Sequence, residues 1–191
     1  MPAPIYRSTS NSFKTNNIKK IVLDLPAQII RETLNRLESM LSLDCSQLTE
    51  DQEGAAYFGF DFQFNNHRFK FRKAKVTPKK IGLFVALWKR CNDGQTIPFT
   101  ADDHFDYYLI SVEQEQHSGL FVFPKQTLIE NCILTAGCQV GKRGFRLYPD
   151  WSIPTNKQAN KSKQWQHTYF VDFVGPYEEA KNKLKHILQI S

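Results

Sequence analysis

The chain lacks an apolar run of the roughly 20 residues that a membrane-spanning helix requires. Its N-terminal stretch is polar and has no apolar centre like that of a secretory signal peptide. It has only four cysteines in 191 residues, and none of them forms a CxxC pair. Sparse cysteines at irregular spacing are typical of reduced thiols. These absences predict a cytoplasmic protein with no membrane contact.

The common metal and cofactor motifs are also missing. The five histidines show neither HxxxH spacing nor paired Cys/His spacing, which argues against a zinc site. The chain contains neither a GxGxxG fingerprint nor a Walker loop. We therefore expect no bound metal and no cofactor.

Acidic residues are absent from residues 68–90, where nine lysines and arginines occur. Since the whole chain has a net charge of +6, the remaining residues together carry −3. The positive charge is therefore local, which favours a basic patch over a uniformly basic surface. Such a patch binds polyanions through their phosphates.

Alternating phenylalanines predict a β-hairpin in the same region. Phe58, Phe60, Phe62 and Phe64 alternate with small or polar residues, and Asn65-Asn66 suits a two-residue turn. With that turn, apolar residues face apolar ones and polar residues face polar ones across the two strands. The polar face then presents Arg68, Lys70 and Arg72 in a row, and Gly59 leaves open space beside Arg72.

A helix is predicted to follow the hairpin, over residues 77–90. Thr77 and Pro78 form a typical helix start, and Ile81, Phe84, Val85 and Trp88 have the spacing of a core stripe. The free N–H groups at such a start, beside Lys79 and Lys80, favour an anion.

The rest of the chain alternates between strand and helix patterns. Residues 26–41 have helical periodicity, and 44–54 are predicted to be an acidic connection. Strands are predicted in DYYLISV, LFVFP, GFRLYP and YFVDFV, with helices beginning at Pro124, Thr155 and Pro176. The prediction is a flexible tail at 1–17 and one α+β domain at 18–191. Its sheet is mixed, mostly antiparallel and flanked by helices.

Three segments together resemble the MepB family of small bacterial proteins: AKVTPKKIGLFVALWKR, GLFVFPKQTLIENCIL with GKRGFRLYPDW, and TNKQANKSKQWQHTYF. The resemblance covers roughly residues 50–175. It implies a fold similar to restriction-endonuclease-like nucleic-acid-binding domains, with a degenerate version of that core. The matching positions are Lys75, Thr77, Pro78, Lys80, Trp88, Lys89, Arg90, Lys142, Arg143, Arg146 and Trp165.

The favoured hypothesis is a non-catalytic nucleic-acid-binding protein. The predicted interface has a main patch of Arg68, Lys70, Arg72, Lys75, Lys79 and Lys80, and a second wall of Lys142, Arg143, Arg146, Lys157 and Lys161. Phosphate contacts carry little sequence information, so DNA and RNA both remain candidate partners. Tyr57, Trp151 and Trp165 are candidate base-stacking residues.

Two alternatives remain open. The first is a metal-dependent nuclease whose divalent ion is held by Asp61, Asp103, Asp106 and Glu113. The strands after Asp61 and Asp106 lack the acid that normally stands two residues before the catalytic lysine of such nucleases. The second alternative is a module that binds an acidic protein or a small molecule.

Overall fold

A computed structural model describes residues 25–42 and 45–190 of the chain. The predicted tail, residues 1–17, lies outside the described residues. The hairpin is confirmed: β2 (Phe60–Phe64) pairs with β3 (His67–Lys73) in the predicted register, with Phe62 opposite Phe69 and Asp61 opposite Lys70. Asn65 and Asn66 both have positive φ, at 48° and 64°, as a two-residue hairpin turn of the favoured type requires.

A six-stranded sheet extends this hairpin on both sides. The added strands are β1 (Cys45–Glu50), β8 (Tyr107–Gln114), β9 (His117–Pro124) and β11 (Phe170–Asp172), and the order is β1-β2-β3-β8-β9-β11. Strands β3 and β8 are parallel, and the other neighbouring strands are antiparallel. The structure is therefore an α+β fold with a mixed, mostly antiparallel sheet, as predicted.

The connection predicted at 44–54 is wrong for its described part, residues 45–54. Strand β1 forms the edge of the sheet, and a 3₁₀ turn follows it at Gln52–Tyr57. Apart from Cys45, the side chains of β1 are exposed, so the strand has no apolar alternation that would reveal it in the sequence. This segment is a strand because its backbone pairs with β2, and not because of its side-chain pattern.

Both faces of the large sheet are covered. Helices α1 (Leu25–Leu41) and α4 (Tyr177–Leu188) pack on one face, where Leu109 and Val122 belong to the same apolar cluster as Leu34 and Leu184. The alternate residues of β8 and β9 contribute to a second apolar cluster on the opposite face. Because both faces are buried, these strands are almost continuously apolar, as strands in the middle of a covered sheet should be.

Helix α2 (Lys125–Glu130) follows β9 at the predicted position after Pro124, and α3 (Lys157–His167) follows the predicted capping region. The cap of α3 is Asn156 and not Thr155, since the Asn156 side chain accepts a hydrogen bond of 2.9 Å from Ala159 N. No helix among residues 25–42 and 45–190 is long and apolar enough to span a membrane.

The helix predicted over residues 77–90 is wrong. The segment forms a turn followed by the short strands β5 (Leu83–Ala86) and β6 (Trp88–Arg90); β4 (Lys75–Val76) comes just before it, and β6 pairs with β7 (Thr96–Pro98). Strand β5 lies between β4 and β10 (Gly144–Leu147) in a small three-stranded sheet.

Burial along this segment explains the error. Leu83, Val85 and Leu87 are fully buried, so the buried positions recur every two residues. The apparent helical stripe included Ile81, which is 45% exposed. Pairing with β10, some 60 residues away in sequence, outweighed a local pattern that also satisfies helical spacing.

Gly82 provides a test that distinguishes strand from helix. Its φ is +82°, and an added Cβ would lie 2.5 Å from Leu147 O and 2.8 Å from the Tyr148 ring. We expect Gly82→Ala to lower the free energy of unfolding by more than about 2 kcal/mol, measured by urea denaturation. In a helix, the same change would raise it by up to about 1 kcal/mol.

Gly94→Ala is the matched control. Gly94 also has positive φ, at +76°, but an added Cβ would meet nothing within 4 Å. Gly94→Ala should therefore lower the free energy of unfolding only by the cost of placing alanine in the left-handed region, about 1–2 kcal/mol. Equal losses in the two variants would show that close packing at Gly82 contributes nothing.

Candidate functional site

The turn between β4 and β5, residues 77–82, displays two of the predicted lysines. Arg146 on β10 holds this turn. Its Nη2 donates to Thr77 Oγ1 at 2.9 Å, and its Nη1 lies 3.2–3.4 Å from the carbonyl oxygens of Lys80, Ile81 and Gly82. Lys79 and Lys80 are exposed on the turn. Arg146 therefore fixes the backbone that carries them.

Helix α3 is attached to the other side of β10 by a buried glutamine. Gln166 is 1% exposed, donates to Arg146 O at 2.8 Å and accepts from Tyr148 N at 2.9 Å. Buried side-chain amides satisfied on both ends fix the relative position of the elements they join. The 77–82 turn and α3 are thus both fixed relative to β10.

A groove of about 1240 Å³ lies between the 77–82 turn, β10 and the segment that contains α3. We call it the basic groove, because five of its lining residues are positively charged: Lys79, Lys80, Lys142, Arg146 and Lys161. No aspartate or glutamate of residues 25–42 and 45–190 lines it. The two predicted basic groups therefore contribute to one concave surface.

The groove's charge is not neutralised by the described protein. Its four lysines are exposed, and none forms a salt bridge with a residue in the described ranges. Among the described residues, the Arg146 guanidinium donates to carbonyl and hydroxyl oxygens, which carry no formal charge. A recess lined by charges of one sign concentrates the positive potential and attracts anions.

Four other predicted binding residues do not line the groove. Arg68, Lys75, Arg143 and Lys157 are exposed but lie outside its lining. The Lys75 ammonium lies 4.6 Å from the centre of the Tyr57 ring, and Arg143 donates to Thr96 Oγ1 at 3.3 Å. The structure thus separates these four residues from the predicted binding residues that line the groove.

Lys70 and Arg72, by contrast, are buried. Arg72 is 1% exposed and Lys70 is 9% exposed. Arg72 forms an ion pair with Asp51, and its Nη1 donates to Phe71 O at 2.8 Å. Lys70 Nζ lies 3.0 Å from Asp51 and 2.7 Å from Asp61. These two cations stabilise the fold and are not available at the surface.

The space beside Gly59 is where the Arg72 guanidinium lies. A Cβ at Gly59 would lie 2.6 Å from Arg72 Nη1 and 2.9 Å from Gly54 Cα. The open space predicted there from the hairpin register is therefore filled by Arg72. Sequence analysis missed the partner, Asp51, because residues 44–54 gave no pairing signal.

The helix start predicted at Thr77, on which the predicted anion site depended, is wrong, because a turn follows β4 there. Thr77 Oγ1 accepts its hydrogen bond from Arg146, and the nearest backbone bond is a turn contact of 3.4 Å between Lys80 N and Thr77 O. The turn therefore lacks the row of free N–H groups that a helix start provides. Lys79 and Lys80 nevertheless belong to a surface that attracts anions, because they line the basic groove.

The four acids of the nuclease alternative do not converge. Asp61 contacts Lys70, Asp106 accepts from Arg68 N at 2.7 Å, and Glu113 pairs with Lys73. Within residues 25–42 and 45–190, no group of three or more His, Cys, Asp or Glu side chains is placed to hold a metal ion.

Asp103, the fourth acid, has its own partners. It lies 2.5 Å from Lys89 Nζ and accepts from Thr100 N at 2.6 Å. Burial raises its pKa, but the hydrogen bonds from Lys89 and Thr100 outweigh that effect, so the pKa lies below its usual range. Asp103 therefore stabilises the loop in which it lies.

Fold and groove together define a small α+β protein with a basic recess beside its three-stranded sheet. The model of the MepB-like family matches residues 51–172, which is more than half of the chain. The crystal structure of MepB is similar to this structure with a TM-score of 0.68 at 34% identity, covering 73% of this chain and 95% of that one. The chain belongs to the MepB-like family. No curated protein matches it.

Asp51 gives a pH-dependent test of the buried cluster. Burial raises the pKa of Asp51, but the adjacent Arg72 and Lys70 lower it, to about 2 from an ordinary 3.8. A lowered folded-state pKa stabilises the protein above pH 3.8, and the stabilisation is lost as pH falls toward 2. We expect Asp51→Asn to cost about 3 kcal/mol at pH 7, because it leaves Arg72 unpaired.

Urea denaturation of both proteins between pH 7 and pH 2.5 measures this effect. The difference between wild type and Asp51→Asn should shrink below about pH 4, because Asp51 takes up a proton in the unfolded wild type while it stays ionised in the folded protein down to about pH 2. Asparagine still caps the 3₁₀ turn, so the change removes mainly the charge. The control is Asp61→Asn, whose more exposed carboxylate should contribute less than about 1 kcal/mol. A difference independent of pH would contradict the ion-pair assignment.

Proposed function

We propose that this protein binds nucleic acid through the basic groove. The observation that carries the proposal is the convergence of five cations on one concave surface, with no acid from the described part of the chain. The groove lysines lack protein partners among the described residues, so their charge is available to a ligand. Nucleic acids supply regularly repeated phosphates, and neutralising several of them gives a large counterion-release contribution to affinity.

The family match includes the groove, but it does not say what the groove binds. The matched region, residues 51–172, includes every basic residue of the groove. We propose that the protein acts in the cytoplasm, where the thiols of Cys91, Cys132 and Cys138 would stay reduced. The metal-dependent nuclease alternative lacks comparable support, because its four acids lie in separate contacts.

The test is a triple variant that neutralises three groove lysines, Lys79→Gln, Lys142→Gln and Lys161→Gln. Binding of a fluorescein-labelled 20-nucleotide DNA or RNA is measured by anisotropy across a salt series. Since each neutralised phosphate contributes a slope of about 0.7–0.9, we expect the salt dependence of log K to fall by roughly 2 to 3. Stability should change by less than about 0.5 kcal/mol, as for exposed positions.

A control variant removes the same formal charge outside the groove, through Arg68→Gln, Lys75→Gln and Lys181→Gln. It should bind nearly as wild type does. Equal weakening in both variants would show that net charge, not the groove, is responsible. Poly-glutamate serves as the competitor for the acidic-protein alternative. If it displaces the oligonucleotide at equal charge concentration, the groove recognises negative charge in general.

A further inference from the structure

Trp165 is the aromatic residue that α3 contributes to the basic groove. Its indole is half-buried, and one part of it packs on Phe123, with ring centres 5.2 Å apart at an angle of 49°. Trp165 also lines the groove and is partly exposed there. Its ring N–H makes no hydrogen bond with another residue in the described ranges. A partly exposed indole beside several cations is a suitable platform for a nucleobase.

The groove also contains polar side chains without partners. Gln158, Ser162 and Gln164 line it and form no side-chain hydrogen bond with another described residue. Side-chain amides offer both donors and acceptors, which match the exposed edges of unpaired bases. Phosphate binding alone would not require such groups, because lysine and arginine supply those contacts.

The arrangement of the cations favours a strand that enters the recess. The four lysines are exposed, whereas Arg146 is half-buried within the groove. A duplex presents its phosphates on a convex surface and keeps its bases stacked inside. A flexible single strand can enter the recess near the positive charge of Arg146, place its phosphates beside the exposed lysines and turn a base toward Trp165.

The volume of the groove fits the same class of ligand. At about 1240 Å³, it exceeds the roughly 300–1,000 Å³ of typical small-molecule sites, so it has room for several linked nucleotides. We propose that the basic groove binds single-stranded nucleic acid in preference to duplex, with a base stacked on Trp165. This inference rests on the proposed nucleic-acid-binding function and names its substrate class.

Three probes of equal length test the wild-type, full-length protein by fluorescence anisotropy at one salt concentration. They are a labelled 15-nucleotide thymidine strand, the same strand as a duplex, and a 15-unit abasic strand with the same phosphates. We expect the thymidine strand to bind about tenfold or more tightly than the abasic strand, because only it can stack. The duplex should also bind more weakly than the thymidine strand.

Trp165→Leu removes the stacking surface, and Trp165→Phe keeps a smaller one. We expect Trp165→Leu to weaken binding of the thymidine strand about tenfold and to leave the abasic strand unchanged, with Trp165→Phe in between. Trp151→Leu is the matched control, since Trp151 is also half-buried but packs on His117 and Phe170 outside the groove. It should not change the preference for bases.

The outcomes separate this inference from the proposed function. If the thymidine and abasic strands bind equally to the wild type, base stacking at Trp165 is overturned, whatever the variants do. If duplex binds as tightly as the single strand while the groove-lysine variant still weakens binding, only the single-strand inference fails. If the groove-lysine variant binds all three probes as the wild type does, the proposed function itself fails.

Discussion

The buried ion pair between Arg72 and Asp51 joins the parts of this fold. An arginine that is 1% exposed is stable only when its charge and hydrogen-bonding groups are satisfied, and Asp51 and Phe71 O do this. Asp51 also caps the 3₁₀ turn through Glu53 N and Gly54 N, at 3.1 and 3.2 Å. The pair therefore fixes the 3₁₀ turn against β3, and the absence of Cβ atoms at Gly54 and Gly59 makes the space for it.

The 3₁₀ turn in turn connects the large sheet to the smaller ones. The Glu53 carboxylate accepts from Arg90 N on β6 at 3.0 and 3.1 Å, and Tyr57 contacts Phe84 on β5 edge-on. Strand β5 pairs with β10, which carries Arg146 and binds Gln166 of α3. The basic groove is thus positioned by a continuous series of contacts that begins at Arg72. Such rigid support holds the cations of the basic groove in position before any ligand binds.

The basic segment 68–90 has two physical roles in the folded chain. Lys70, Arg72, Lys73 and Lys89 form ion pairs with acids that are distant in sequence, so their charge serves the fold. Lys79 and Lys80 have no such pairs with described residues and line the groove with three cations from residues 142–161. A local excess of charge in the sequence therefore overstates the surface patch, because it does not show which charges are neutralised by tertiary contacts.

The sequence by itself determined the elements whose pattern is local: the β2–β3 hairpin with its register, the buried β8 and β9, and helices α1 and α4. In these elements, the spacing of apolar residues in the sequence matches the observed strand or helix. The turn residues Asn65-Asn66 also lie where the hairpin turns. Tertiary structure decided that residues 83–86 and 88–90 form strands, because Val85 fits both the helical stripe and the period-two pattern, and pairing with β10 selects the strand. It also decided which lysines meet, since the groove joins segments roughly 60 to 80 residues apart that only the fold of the backbone brings together.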